Sequence, residues 1–112
     1  EIIMLNVFGF YKFISLKNLK TNKILLNNFL IKKNVRGTII ISKEGINGTI
    51  SGKSKDCKDL IYFIKINFLF KSFDSINKST CSFHPFHKHK VKIKKEMVPM
   101  NMVLSQKIKK KR

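Results

Sequence analysis

Two short stretches in the middle of the chain constrain its fold more than any other feature. Arg36 to Ser42 (RGTIIIS) is a β-branched run and reads as a strand. Asn47 to Gly52 (NGTISG) reads as the returning strand, with Lys43-Glu44-Gly45 as a tight turn. A connection this short joins antiparallel neighbours, because parallel strands need a crossover of a dozen or more residues. Asn47-Gly48 is an alternative turn, since that dipeptide tolerates positive φ. The earlier turn is preferred because it leaves two strands of similar length.

Each side of this hairpin carries a helix and then a strand. Upstream, Leu5 to Phe13 (LNVFGFYKF) reads as a buried, central strand. Ser15 is the expected N-cap of a helix from Leu16 to Lys33, with Leu16, Leu19, Leu26, Phe29 and Leu30 at helical spacing. Asn34 suits its C-terminus, where a left-handed residue is common. Downstream, Ser54 is the expected N-cap of a second helix running to about Asn67. Asp56 and Asp59 lie near its positive end, and Leu60, Ile61, Phe63 and Ile64 face inward. Lys71 to Asn77 reads as a weaker strand and Lys88 to Val98 as a stronger one, ended by Pro99. Between them, Lys78 to His87 is irregular and contains Pro85.

The order is β-α-β-β-α-β plus a final strand. That predicts an α+β, ferredoxin-like (acylphosphatase-like) fold: an antiparallel sheet with two helices on one face and the other face open. Residues 1–98 form the expected domain, and residues 99–112 a basic C-terminal tail. The chain has 112 residues, 43% hydrophobic with ten Phe, enough for one core. No apolar run reaches the roughly 18 residues of a membrane span, and no signal-peptide pattern opens the chain. Two cysteines make no disulfide scaffold, so a reducing cytoplasm is expected.

The formal charge is +18, which favours polyanionic partners. The cations are 22 Lys and only 2 Arg, alongside 16 Ile, 10 Asn and no Ala. Codon bias of an AT-rich genome produces the same skew, so position along the chain has to decide. Lys88, Lys90, Lys92 and Lys94 occupy every second position of the last strand. Side chains alternate across a strand, so the four share one face, about 7 Å apart, with Val91 and Ile93 on the other. A row of phosphates would relieve their mutual repulsion. The competing explanation is an edge strand guarded against aggregation by lysines.

The remaining candidates are weaker. Cys81, His84, His87 and His89 are ligand types for zinc, but their spacing matches no paired metal motif, so no metal is expected. His87 and His89 are expected to flank the lysine row as donors to an anion. Gly45, Gly48 and Gly52 in EGINGTISG match no nucleotide loop and read as a turn and a close backbone approach. Glu44, Gly45, Asn47 and Gly48 are expected to shape a motif loop. Phe8, Phe10, Tyr11 and Phe13 are base-stacking candidates, although core packing accounts for most of them. There is no Ser/His/Asp set, activated cysteine motif or spaced carboxylate pair. On its residues the chain reads as a binding domain with no catalytic residue and no cofactor of its own.

Three stretches together carry a resemblance. They are Phe10-Tyr11-Lys12-Phe13, the run from Gly37-Thr38 through EGINGTISG, and Pro85-Phe86-His87-Lys88-His89-Lys90-Val91-Lys92-Ile93-Lys94-Lys95-Glu96. In this order and spacing they resemble the N-terminal domain of the rhodanese-related, oxygen-dependent tRNA uridine hydroxylases. The resemblance covers Val7 to Val98. It implies an acylphosphatase-like domain that precedes a rhodanese-like catalytic domain with an active cysteine. It also implies hydroxylation of a wobble uridine to 5-hydroxyuridine, with tRNA as partner and neither membrane nor DNA. Neither Cys57 nor Cys81 lies in a cysteine-headed loop, so the family's catalytic cysteine maps to no position here. Nor does the arginine phosphate loop of true acylphosphatases, because Arg36 is the only internal arginine. The alternatives are a structural or dimerisation module without RNA contact, a gene remnant, and a self-sufficient acylphosphatase-type hydrolase.

Overall fold

The two central stretches do form a hairpin, and its turn is only two residues long. The computed structural model describes residues 4–95. Its elements are β1 (Leu5–Phe13), α1 (Leu19–Lys33), β2 (Arg36–Ser42), β3 (Gly45–Gly52), α2 (Ser54–Phe68), β4 (Ser75–Cys81) and β5 (His89–Ile93). Ser42 pairs with Gly45, so Lys43-Glu44 is the turn and Asn47-Gly48 lies inside β3. The strand order is β4-β1-β3-β2-β5. The first four strands pair antiparallel, as the predicted ferredoxin-like pattern requires. The fifth differs: β5 pairs parallel with β2, so the sheet is mixed.

Both helices cover one face. α1 packs chiefly on β5 and β2, and α2 on β1 and β3. The core between them contains Phe8, Phe10, Ile39, Ile41, Ile46, Ile50 and Val91 from the sheet, with Leu26, Leu30, Leu60 and Ile64 from the helices. The helices are joined by a Phe29–Phe63 stack, with ring centroids 4.7 Å apart. Asn67 Nδ2 also donates to Asn22 Oδ1 at 2.9 Å, and Lys33 pairs with Asp59 at 3.3 Å.

Several boundaries move from their expected places. Ser15 caps nothing, because α1 starts at Leu19 after a left-handed Asn18. The Ile14 N–H donates to Glu44 O and the Leu16 N–H to Lys43 O, which holds residues 14–16 extended along the hairpin turn. Leu16 is buried from that loop. Lys53 takes the N-cap position of α2, with Ser54 as its first helical residue and Asp56 in its first turn. Asn34 is left-handed, as expected, with φ 54°. The strand expected over Lys71 to Asn77 lies instead at Ser75–Cys81. Phe73 turns into the core against Phe10, while Asp74 fastens the start of β4 to β1. The Phe13 N–H donates to Asp74 Oδ2 at 2.7 Å, and the Asp74 N–H donates to Tyr11 O at 3.0 Å. The last strand is shorter than expected, ending at Ile93, although the Lys94 N–H still donates to Ile41 O at 2.9 Å. Residues 96–98 of the expected strand, Pro99 and the basic tail lie outside the described residues.

Two glycines allow the close approach of neighbouring strands. Gly37 has φ +123°, and a Cβ there would stand 2.1 Å from Thr49 O. At Gly48 a Cβ would meet the Phe10 ring at 2.8 Å and Thr38 O at 3.0 Å. Gly9 is the opposite case, with nothing within 4 Å of an added Cβ. Gly37→Ala should therefore lose on the order of 3 kcal/mol of stability, from backbone strain and steric clash together. Gly9→Ala should stay within about 1 kcal/mol of the parent. Urea unfolding midpoints for the two variants check both values.

Candidate nucleic-acid interface

The alternation of β5 acquires a definite orientation from its pairing. Val91 lies beside Ile39, and both are buried on the helix side. Lys90 lies beside Thr38 and Lys92 beside Ile40, on the open side. Lys94 follows the strand end and lines the same open-face cavity as Lys92. Lys88 precedes the strand, and its carbonyl accepts from the Gly37 N–H at 2.8 Å, which extends the pairing by one residue. The whole run is thus held straight along β2. The ion pairs Lys12–Asp74 and Lys33–Asp59 lie elsewhere, between β1 and the residue before β4 and between the helices.

The link from β4 to β5 shapes the space above these lysines. Cys81 and His89 lie on opposite edges of the sheet. Four strand spacings separate them, roughly 19 Å. Eight residue steps reach at most about 28 Å, so residues 82–88 are long enough to cross the sheet. Phe86, carried by this link, reaches the open face. It lines a cavity of about 370 Å³ with Thr38, Ile40, Asn47, Thr49, Lys92 and Lys94. The cavity therefore combines an aromatic ring, one apolar side chain, three hydrogen-bonding side chains and two cations.

The other candidates named from the sequence separate into those near the cavity and those away from it. His87 is exposed in the crossing link. His89 pairs with Gly37 and, by alternation, lies on the opposite side of β5 from Lys90. The expected motif loop is largely a strand: Gly45, Asn47 and Gly48 belong to β3, and only Glu44 sits in the turn. The Glu44 N–H donates to Ser42 Oγ at 3.1 Å. Asn47 is buried on the open side and lines the cavity. Gly48 faces the core, where Phe10 covers it. The first strand's aromatics divide by alternation. Phe8 and Phe10 enter the core, whereas Tyr11 and Phe13 lie on the open side with ring centroids 5.7 Å apart. Cys81 ends β4, the edge strand farthest from His89 on β5. Among the described residues no three His, Cys, Asp or Glu side chains gather as a metal site. Arg36 opens β2, opposite Ser51.

Sequence reasoning missed Thr38, Ile40, Thr49 and Phe86. The strand period did carry the first three, since it places Thr38, Ile40, Asn47 and Thr49 on the non-core side once the core face is known. Phe86 lies in a stretch that carries the family resemblance, but no periodicity assigns it to the open face, since its place depends on the crossing link. Among the described residues no helix is long and apolar enough to cross a membrane.

Both cysteines are free thiols. Cys57 is fully buried on α2, and its Sγ contacts Asn6 O at 3.9 Å. Burial pushes its pKa from 9.0 up to about 11, and the neighbouring Asp56 charge adds to the effect. The thiol form is favoured in the folded state, so its stabilising contribution is complete below pH 9.0 and is lost as the pH rises through about 11. Cys57→Ala or Cys57→Val should flatten the loss of thermal stability across that window, as read by melting temperature against pH. In the parent protein at pH 8, iodoacetamide should label Cys81 well before Cys57, as read by peptide mass spectrometry.

The sequence model of the UPF0176 acylphosphatase-like domain matches residues 5–97. The tRNA uridine(34) hydroxylase of Pelagibacter ubique (strain HTCC1062) is 63% identical over 107 residues, which is 96% of this chain and 36% of that protein. The tRNA uridine(34) hydroxylase of Bartonella quintana (strain Toulouse) is 36% identical over 96 residues, 86% of this chain and 31% of that protein. The chain thus spans about a third of the length of these curated relatives. The acylphosphatase of Bacillus subtilis shares the fold with a TM-score of 0.53 at 8% identity, covering 82% of this chain and 100% of that one. The match over residues 5–97 shows that the chain belongs to the UPF0176 acylphosphatase-like domain family.

Proposed function

We propose that this domain binds tRNA through the open face of its sheet, as the tRNA-holding part of a wobble-uridine hydroxylase. The observation that carries the reading is the straight run of lysines, Lys88, Lys90, Lys92 and Lys94, held along β2 at the edge of the open face. Like charges at two-residue spacing repel, and a phosphate backbone relieves that repulsion by releasing its counterions. His87 adds a donor at the head of the run, whereas His89, expected beside it, lies on the other side of the strand from Lys90 and is set aside. The similarity to tRNA uridine(34) hydroxylases makes tRNA the natural polyanion. The oxygen chemistry is assigned to a rhodanese-like domain with its own cysteine, and the buried Cys57 plays no part in it.

A second reading is favoured by a different observation. The outer helix surface exposes Ile24, Ile31, Tyr62 and Ile66, and a shallow groove runs beside Phe29 and Phe63. In this reading the domain braces a catalytic domain through its helices, and its lysines serve only solubility.

Titration of the purified chain with tRNA discriminates the two. Affinity should fall steeply with salt, with a log–log slope of roughly −0.7 to −0.9 per phosphate contact. Replacing Lys90, Lys92 and Lys94 together by Gln should weaken binding at least about tenfold at about 0.15 M salt and make the slope shallower by roughly 2 to 3. Unchanged affinity in this triple variant would sink the tRNA reading and leave the bracing one.

A further inference from the structure

We infer that the open-face cavity holds an unpaired nucleobase, so that the domain selects single-stranded over double-stranded RNA. This rests on the tRNA reading and specifies which part of an RNA the face takes. Lysines alone would serve any polyanion, duplex or single strand. The cavity beside them is a different device. Its lining brings the Phe86 ring into one space with the hydrogen-bonding side chains of Thr38, Asn47 and Thr49, with Lys92 and Lys94 also contributing to it. A planar heterocycle with polar edges needs these three features: a ring to stack on, partners for its edges, and cations for its phosphates. The volume of about 370 Å³ is at the small end of the range for small-molecule sites, roughly 300–1,000 Å³.

A duplex cannot use such a space. Its bases are stacked and paired inside the helix, and it offers a protein phosphates and 2′-hydroxyls. The link 82–88 that carries Phe86 also stands over this part of the sheet, where a rigid duplex would have to lie. A single strand passes along the lysines and turns one base under the ring. The face then continues open beyond the cavity. Thr49 pairs with Gly9, where an added Cβ meets nothing within 4 Å, and Tyr11 follows on the same side of β1. In one row across four strands the side chains are Lys92, Ile40, Asn47 and Tyr11. The cationic edge and the aromatic strand thus lie on either side of the cavity.

The test uses the purified 112-residue chain and one labelled RNA of about a dozen nucleotides, presented as a single strand and as its annealed duplex, in about 0.15 M salt. Fluorescence anisotropy should show the single strand bound roughly ten-fold tighter or better, since one stacked base contributes about five- to hundred-fold. Phe86→Ala should remove most of that preference while leaving duplex affinity within about two-fold. Gly9→Leu supplies a variant that puts a side chain into the space beside Thr49, where an added Cβ meets nothing within 4 Å, and it should lower single-strand affinity with the fold intact by circular dichroism. Equal affinity for the two RNAs overturns the inference, as does full single-strand affinity in both variants. If the Lys90, Lys92 and Lys94 triple Gln variant still loses binding in that case, the phosphate reading stands and only the base site falls. If neither RNA binds the parent chain, both fall together.

Discussion

Close packing around β3 governs the arrangement of every other element in this domain. This strand has a partner on each side, and almost every residue in it is buried. Gly48 leaves the strand bare where the Phe10 ring crosses it, and Gly37 lets the β2 backbone approach Thr49 more closely than any Cβ would permit. The aromatic side chain fills the volume that two side chains would otherwise contest. With the core face of β3 so occupied, α1 and α2 pack on that side, and Asn47 and Thr49 are left on the other.

The addition of β5 then turns a two-faced sheet into one with a charged edge. Its parallel pairing with β2 seats Val91 against the core beside Ile39, and the pleat sends Lys90 and Lys92 the other way. Burial of Val91 and the exposure of the lysines are thus one event: a one-residue slip would reverse both. The same pairing puts β5 on the edge opposite β4, so the link 82–88 has to cross the sheet, and this brings Phe86 to the lysines. A cavity with both cationic and aromatic walls is a consequence of that topology. The helix side has a different character, with a Phe29–Phe63 stack between the helices and exposed apolar side chains outside it. The two surfaces thus differ in chemistry, cationic and aromatic on the open face and apolar on the helix side.

Local periodicity makes much of this legible. The strand stretches Leu5–Phe13 and Arg36–Ser42, the lysine alternation and the left-handed Asn34 all follow from residue type and spacing. The position of β4 does not. Its sequence, SINKSTC, is polar and mostly exposed, whereas Phe70 and Phe73 before it have strand character and instead pack near Phe10. The first helix starts later than its apolar spacing implies, because backbone hydrogen bonds to the hairpin turn outcompete that spacing at Leu16. Glu44 to Gly48 has the composition of a loop because Gly and Asn mark turns, but in this sheet they serve close strand contact.

The alternation of β5, the order of helices and strands, and the apolar side of each strand are all written in the amino-acid sequence. These are properties of neighbouring residues, carried by the pleat and the helical turn. Three other features come from the three-dimensional arrangement alone. β5 lies parallel to β2, the Tyr11 side of β1 comes to share a row with Lys92 through Ile40 and Asn47, and Phe86 lines a cavity with Thr38 and Thr49. Those depend on which strands pair and which link has to span them. Such choices are made by closing one core between residues far apart in the chain, and no local pattern records them.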